Sequence, residues 1–102
     1  MNSQKTGQKG EQIVVNILRN LGYRVTRNTK IQGSTDIEVE RTYDKLLIQA
    51  KTTIFPNQAE VPTGEEIRTI KSRAAKTGRK AMLVEVVIDP VGNLVDINWM
   101  KL

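Results

Sequence analysis

The sequence predicts one α/β domain over residues 1–102, a mixed β-sheet flanked by two helices in the order αβββαββ. Three observations carry this. Two segments repeat their apolar residues at helical spacing, the stretch 35–41 alternates strictly, and 81–88 is an almost unbroken apolar run. A helix and a meander of three strands, then a helix and two more strands, require one parallel connection between the third and fourth strands.

The elements follow in order. Ile13, Val14, Ile17, Leu18 and Leu21 fall on one side of a helix over Thr6–Leu21, and Gly22 ends it. Tyr23–Asn28 is rich in β-formers and reads as the first strand. Thr35–Arg41 places Asp36, Glu38 and Glu40 on one face and Ile37 and Val39 on the other. Thr42–Lys45 reads as a four-residue hairpin loop and Leu46–Thr53 as the return strand. Thr63 and Glu66 form a capping box at the head of a helix over Gly64–Thr77, with Ile67, Ile70 and Ala74 inward and Gly78 as the stop. Ala81–Ile88 reads as a strand buried on both faces, Asp89–Asn93 as a turn, and Leu94–Trp99 as the last strand.

Composition narrows the chemistry. The chain has no Cys and no His, which excludes disulfides, thiolate zinc sites and Ser-His-Asp catalysis. Any catalysis runs on carboxylates, lysine, hydroxyls and amides. No run approaches the roughly 18 apolar residues of a membrane span, and Met1–Gly10 lacks an apolar leader, so a cytoplasmic protein without a membrane partner is expected. The net charge is +5, gathered in two blocks. Lys5, Lys9, Arg19, Arg24, Arg27 and Lys30 oppose only Glu11. Arg68, Lys71, Arg73, Lys76, Arg79 and Lys80 oppose Glu65 and Glu66. Basic blocks around a carboxylate-bearing middle suit a polyanion with a cation site at the contact.

The hairpin of strands two and three carries that middle. With a four-residue loop, Asp36 is expected opposite Lys51, Glu38 opposite Gln49 and Glu40 opposite Leu47, all on one face. A hard divalent cation takes oxygen ligands, which Asp36, Gln49 and the main-chain carbonyl of Ala50 can supply. Lys51 would then hold a metal-bound water or a phosphate oxygen, the arrangement that phosphodiester hydrolysis requires. Glu11 sits at the edge of the first helix's apolar stripe and is expected to reach the same site from above.

These residues resemble a family. Gly10-Glu11 on the first helix, Gly33-Ser34-Thr35-Asp36 opening the second strand, and Leu46-Leu47-Ile48-Gln49-Ala50-Lys51 on the third are similar to the PD-(D/E)XK nuclease superfamily. The resemblance implies the restriction-endonuclease-like fold. The small size and the basic start are most like archaeal-type Holliday junction resolvases, which are Mg²⁺-dependent homodimers cutting four-way DNA junctions. It further implies Glu11 and Asp36 as metal ligands, Gln49 at the third-acid position, Lys51 as the catalytic lysine, and Mg²⁺ as cofactor with Mn²⁺ able to substitute. Lys5, Lys9, Arg27, Lys30 and Ser34 are the candidate DNA contacts. The sequence departs from the pattern twice, with Thr35 in place of the signature proline and Gln49 in place of the third acid. The alternatives are an Mrr-like restriction nuclease domain and a catalytically silent DNA-binding module of the same fold. Phe55 and Trp99 are the expected anchors of a dimer interface.

Overall fold

The structure is a computed structural model that describes residues 3–31, 34–58 and 60–102, with side chains except at 3, 4, 30, 31 and 34. Its elements run α1 (Ser3–Asn20), β1 (Arg24–Ile31), β2 (Ser34–Arg41), β3 (Asp44–Ile54), α2 (Gly64–Lys76), β4 (Lys80–Ile88) and β5 (Leu94–Lys101). The strands form one sheet in the order β1-β2-β3-β4-β5. Among the described residues, β3 and β4 pair in parallel and the other neighbours are antiparallel. Order and sheet type are those expected from the sequence.

The helices take opposite faces of this sheet. Val14, Val15 and Leu18 of α1 are buried with Ile37, Val39, Ile48, Ala50, Val84, Val86 and Ile88 in the main core. Each such aliphatic side chain contributes about 1.5–3 kcal/mol on leaving water. On the other face α2 makes a far smaller apolar contact, with Ile70 and Ala74 against Leu47. The capping box is present, with the Thr63 hydroxyl accepting from the Glu66 amide at 3.1 Å. Gly22 and Gly78 end their helices at φ of 90° and 66°, a conformation that glycine adopts without steric cost.

The register of the β2–β3 hairpin differs from the expected one. Arg41 pairs with Asp44, so the loop is the two residues Thr42-Tyr43, and Asp36 stands opposite Gln49 rather than Lys51. Neither loop residue has positive φ, so this is not one of the glycine-bearing turns that announce a short hairpin. Side chains clamp it instead. Arg41 bonds Asp44 at 2.8 Å and the Leu21 carbonyl at 3.1 Å, and its guanidinium lies 4.4 Å from the centre of the Tyr23 ring. The shift is two residues, so every side chain keeps its expected face.

Gly10 fixes how closely α1 approaches the sheet. A Cβ there would lie 1.7 Å from Thr52 Oγ1 and 2.7 Å from Thr52 Cβ. A β-branched residue on a strand has little room to turn away. Gly10→Ala should therefore lower the melting temperature by about 5–15 °C, given overpacking costs of about 1–3 kcal/mol. Adding Thr52→Ala should restore part of the loss, as read by thermal denaturation.

Candidate functional site

The polar face of β2 and β3 lies under α2. Asp36 is 7% exposed and Gln49 6%, and the two are directly opposed across the strands. Lys51 follows on the same face, and β4 brings Glu85 alongside it. Glu85 is 8% exposed. Sequence reasoning passed over it, although it is the only charge within the run Ala81–Ile88.

The charges on β2 and β3 are met from α2 or just beyond it, whereas the nearest countercharge to Glu85 is Lys51 on β3. Arg73 Nη1 lies 2.5 Å from Asp36 Oδ2, and Glu66 forms an ion pair with Lys51. Arg79, after the helix, bonds Glu40 at 2.6 Å and the Val39 carbonyl at 3.2 Å, and stands 3.9 Å from Glu38. Glu38 and Glu40 are thus strand acids that share Arg79, and Arg24 stands 3.6 Å from Glu40 as a second cation. A polar cleft of about 200 Å³ opens between α2 and β3, lined by Gln49, Thr63, Glu65, Glu66, Thr69 and Arg73.

Burial and partners set the carboxyl groups apart. Burial pushes Asp36 above the usual aspartate range, although the Arg73 guanidinium and the Gln49 amide pull the other way. Burial likewise raises Glu85, against the pull of Lys51. Glu66 is held low, by the Lys51 ammonium first and the Thr63 backbone next. Among the described residues, four buried side-chain oxygens have no hydrogen-bond partner: Glu11 Oε2, Thr53 Oγ1, Asp36 Oδ1 and Gln49 Oε1. The last two belong to this site. They belong to opposed residues, and such oxygens are costly to leave without a donor or a cation.

Glu11 does not join them. Its carboxylate accepts from Asn28 Nδ2 on β1. Asn28 is paired with Ile37, which belongs to the α1-side core, whereas Asp36 faces α2. Glu11 is half-buried on α1, which lies across the sheet from the Asp36 carboxylate, and its second oxygen is buried without a partner. Among the described residues, no group of three or more His, Cys, Asp or Glu side chains is placed to hold one metal ion. Ala50 turns its methyl into the core, and its backbone runs in a strand paired on both sides.

The candidate DNA contacts do not converge. Lys5 and Lys9 are exposed on α1, where Lys9 lies against Gly92 of the β4–β5 turn. Arg27 is exposed on β1 opposite Glu38, hence on the α2 face. The side chains of Lys30 and Ser34, and Gly33 of the motif, lie outside the described residues. Trp99 packs against its own core, and Phe55 is 54% exposed.

No protein-family model and no curated protein matches the chain. Among solved structures, an FdxN element excision controlling factor protein from Anabaena variabilis is 14% identical, with 92% of this chain and 99% of that chain covered and a TM-score of 0.40.

A carboxyl group whose pKa is raised by folding is disfavoured in its ionised form. Its stabilising contribution is present at low pH and lost as pH rises through the folded value. Glu85→Gln removes that loss. The variant should melt above the parent at pH 7 to 8, and the gap should close as pH falls through the carboxylate range. A scan of melting temperature against pH reads both.

Proposed function

We propose that this chain is a Mg²⁺-dependent DNA endonuclease that hydrolyses phosphodiester bonds in branched, four-way-junction DNA, in the manner of the PD-(D/E)XK nucleases that its motif residues resemble. The observation that carries the reading is the pair of buried, unpartnered oxygens, Asp36 Oδ1 and Gln49 Oε1, on opposed residues beside Lys51. A carboxylate and an amide oxygen suit a hard cation that keeps most of its waters. Bound there, Mg²⁺ or Mn²⁺ would supply an activated water and charge neutralisation at phosphorus. Asp36 and Gln49 would hold the ion, and Lys51 on the same face, once released from Glu66, would meet a phosphate oxygen. Exposed Arg68 and Lys71 of α2, with Arg27, give the same side of the sheet its attraction for DNA.

Paired incisions on a two-fold substrate call for two such domains related by a two-fold axis, so the working unit is a homodimer. Phe55, exposed beyond the end of β3, is the surface anchor offered to it, and Trp99 is withdrawn from that role by its place against the core. A second reading, a DNA-binding module without catalysis, is favoured by one observation. With Glu11 across the sheet, Asp36 is the one acid of the expected ligand set on the Gln49 face.

The two readings separate in a cleavage assay with a labelled four-way junction and a matched duplex in 10 mM Mg²⁺, a concentration of about the order at which weak oxygen sites fill. The nuclease cuts the junction in preference to the duplex. Asp36→Ala abolishes cutting and leaves junction binding intact in a gel-shift assay, because removing a buried anion does not weaken attraction to phosphate. Junction binding without cutting by the parent protein would establish the silent module.

A further inference from the structure

Helix α2 meets the site with crossed charges. Its cation, Arg73, sits on the sheet anion Asp36, and its anion, Glu66, sits on the sheet cation Lys51. The two helix residues are seven apart, two turns of one helix, so they lie on the same inward side. Both also line the cleft that Gln49 opens onto. The Arg73 contact is single-point. Asp36 Oδ1 and Arg73 Nε are both buried and have no partner, where a full guanidinium–carboxylate fork would use two parallel bonds. The pair is the weaker of the geometries open to it, and it occupies one of the oxygens a cation would use.

We propose that α2 is a latch on this site, with Arg73 as a resident counter-cation that competes with a divalent ion for Asp36 and Glu66 as the group that withholds Lys51 from phosphate. The inference rests on the cation-site reading above and adds residues outside its ligand set. A unit positive charge this close to Asp36 opposes a second cation, and the opposition is strong in a partly dry site. Because both contacts sit on one rigid helix face, displacing Arg73 loosens the hold of Glu66 as well.

The test is Mn²⁺ binding by isothermal titration calorimetry in the absence of DNA, on the parent protein, Arg73→Gln and Arg73→Lys, with folding checked by circular dichroism. Arg73→Gln removes the charge and should bind Mn²⁺ at least about tenfold more tightly. Arg73→Lys keeps the charge and should stay within about threefold of the parent. Equal or weaker binding by Arg73→Gln would overturn the latch and make Arg73 a residue that only orients Asp36. Tightening by Arg73→Lys to the same extent would overturn it too. Absence of Mn²⁺ binding by all three proteins would remove the cation site itself, and the latch with it. Should Arg73→Gln not fold, Glu66→Gln carries the test. It keeps the capping geometry, frees Lys51, and should raise affinity for a fluorescent duplex by about threefold or more at low salt. Unchanged affinity would overturn the latch.

Discussion

The ion pairs between α2 and the sheet are the constraint on which the candidate site depends. The covered face of β2 and β3 carries Asp36, Glu38, Glu40, Gln49 and Lys51, and a helix can lie over such a face only if the charges are met. Arg73, Glu66 and Arg79 meet them. The apolar contribution on this side is slight, Ile70 and Ala74 on Leu47, whereas α1 packs Val14, Val15 and Leu18 onto buried aliphatic residues of β2, β3 and β4. The sheet thus has one face fastened by the hydrophobic effect and one fastened by charge. The second is the one that salt, pH or a competing ion can loosen. A ligand entering the cleft beside Asp36 and Gln49 would therefore act on the hold of α2 as well.

Most of the fold was legible in the sequence because its signals are local. Helical periodicity located α1 and α2, the Thr63–Glu66 box located the start of α2 to the residue, and Gly22 and Gly78 marked where each helix ends. Strict alternation in β2 assigned Asp36 to the face opposite Ile37, and the period of two kept that assignment correct although the pairing slipped by two residues. The slip itself was not legible. Thr42-Tyr43 carries no Gly or Asn, and the two-residue turn is held by Arg41 reaching back to Leu21 and Tyr23, contacts distant in sequence.

The site was legible only as far as single strands reach. That Asp36, Gln49 and Lys51 share a face follows from alternation. That Arg73 and Glu66 close over them does not, because it depends on which face α2 covers and on the rotation of the helix about its axis. Glu11 shows the same limit from the other side. Its position on α1 was plain, but the face that α1 covers was not, and that face puts its carboxylate on Asn28. Glu85 was hidden by the apolar run around it. Burial on both faces of β4 was read from Ala81–Ile88, and the one acid in the run proves to be part of the polar side.

The proposed divalent ion enters between Asp36 and Gln49, beneath α2. The most direct measurement is paramagnetic line broadening by Mn²⁺ in the ¹H–¹⁵N spectrum of the folded protein without DNA. Amides of residues 35–37, 48–50 and 73 should broaden first and together. Broadening centred on Glu11 and Asn28, or on the Asp89–Asn93 turn, with Asp36 and Gln49 sharp, would contradict it.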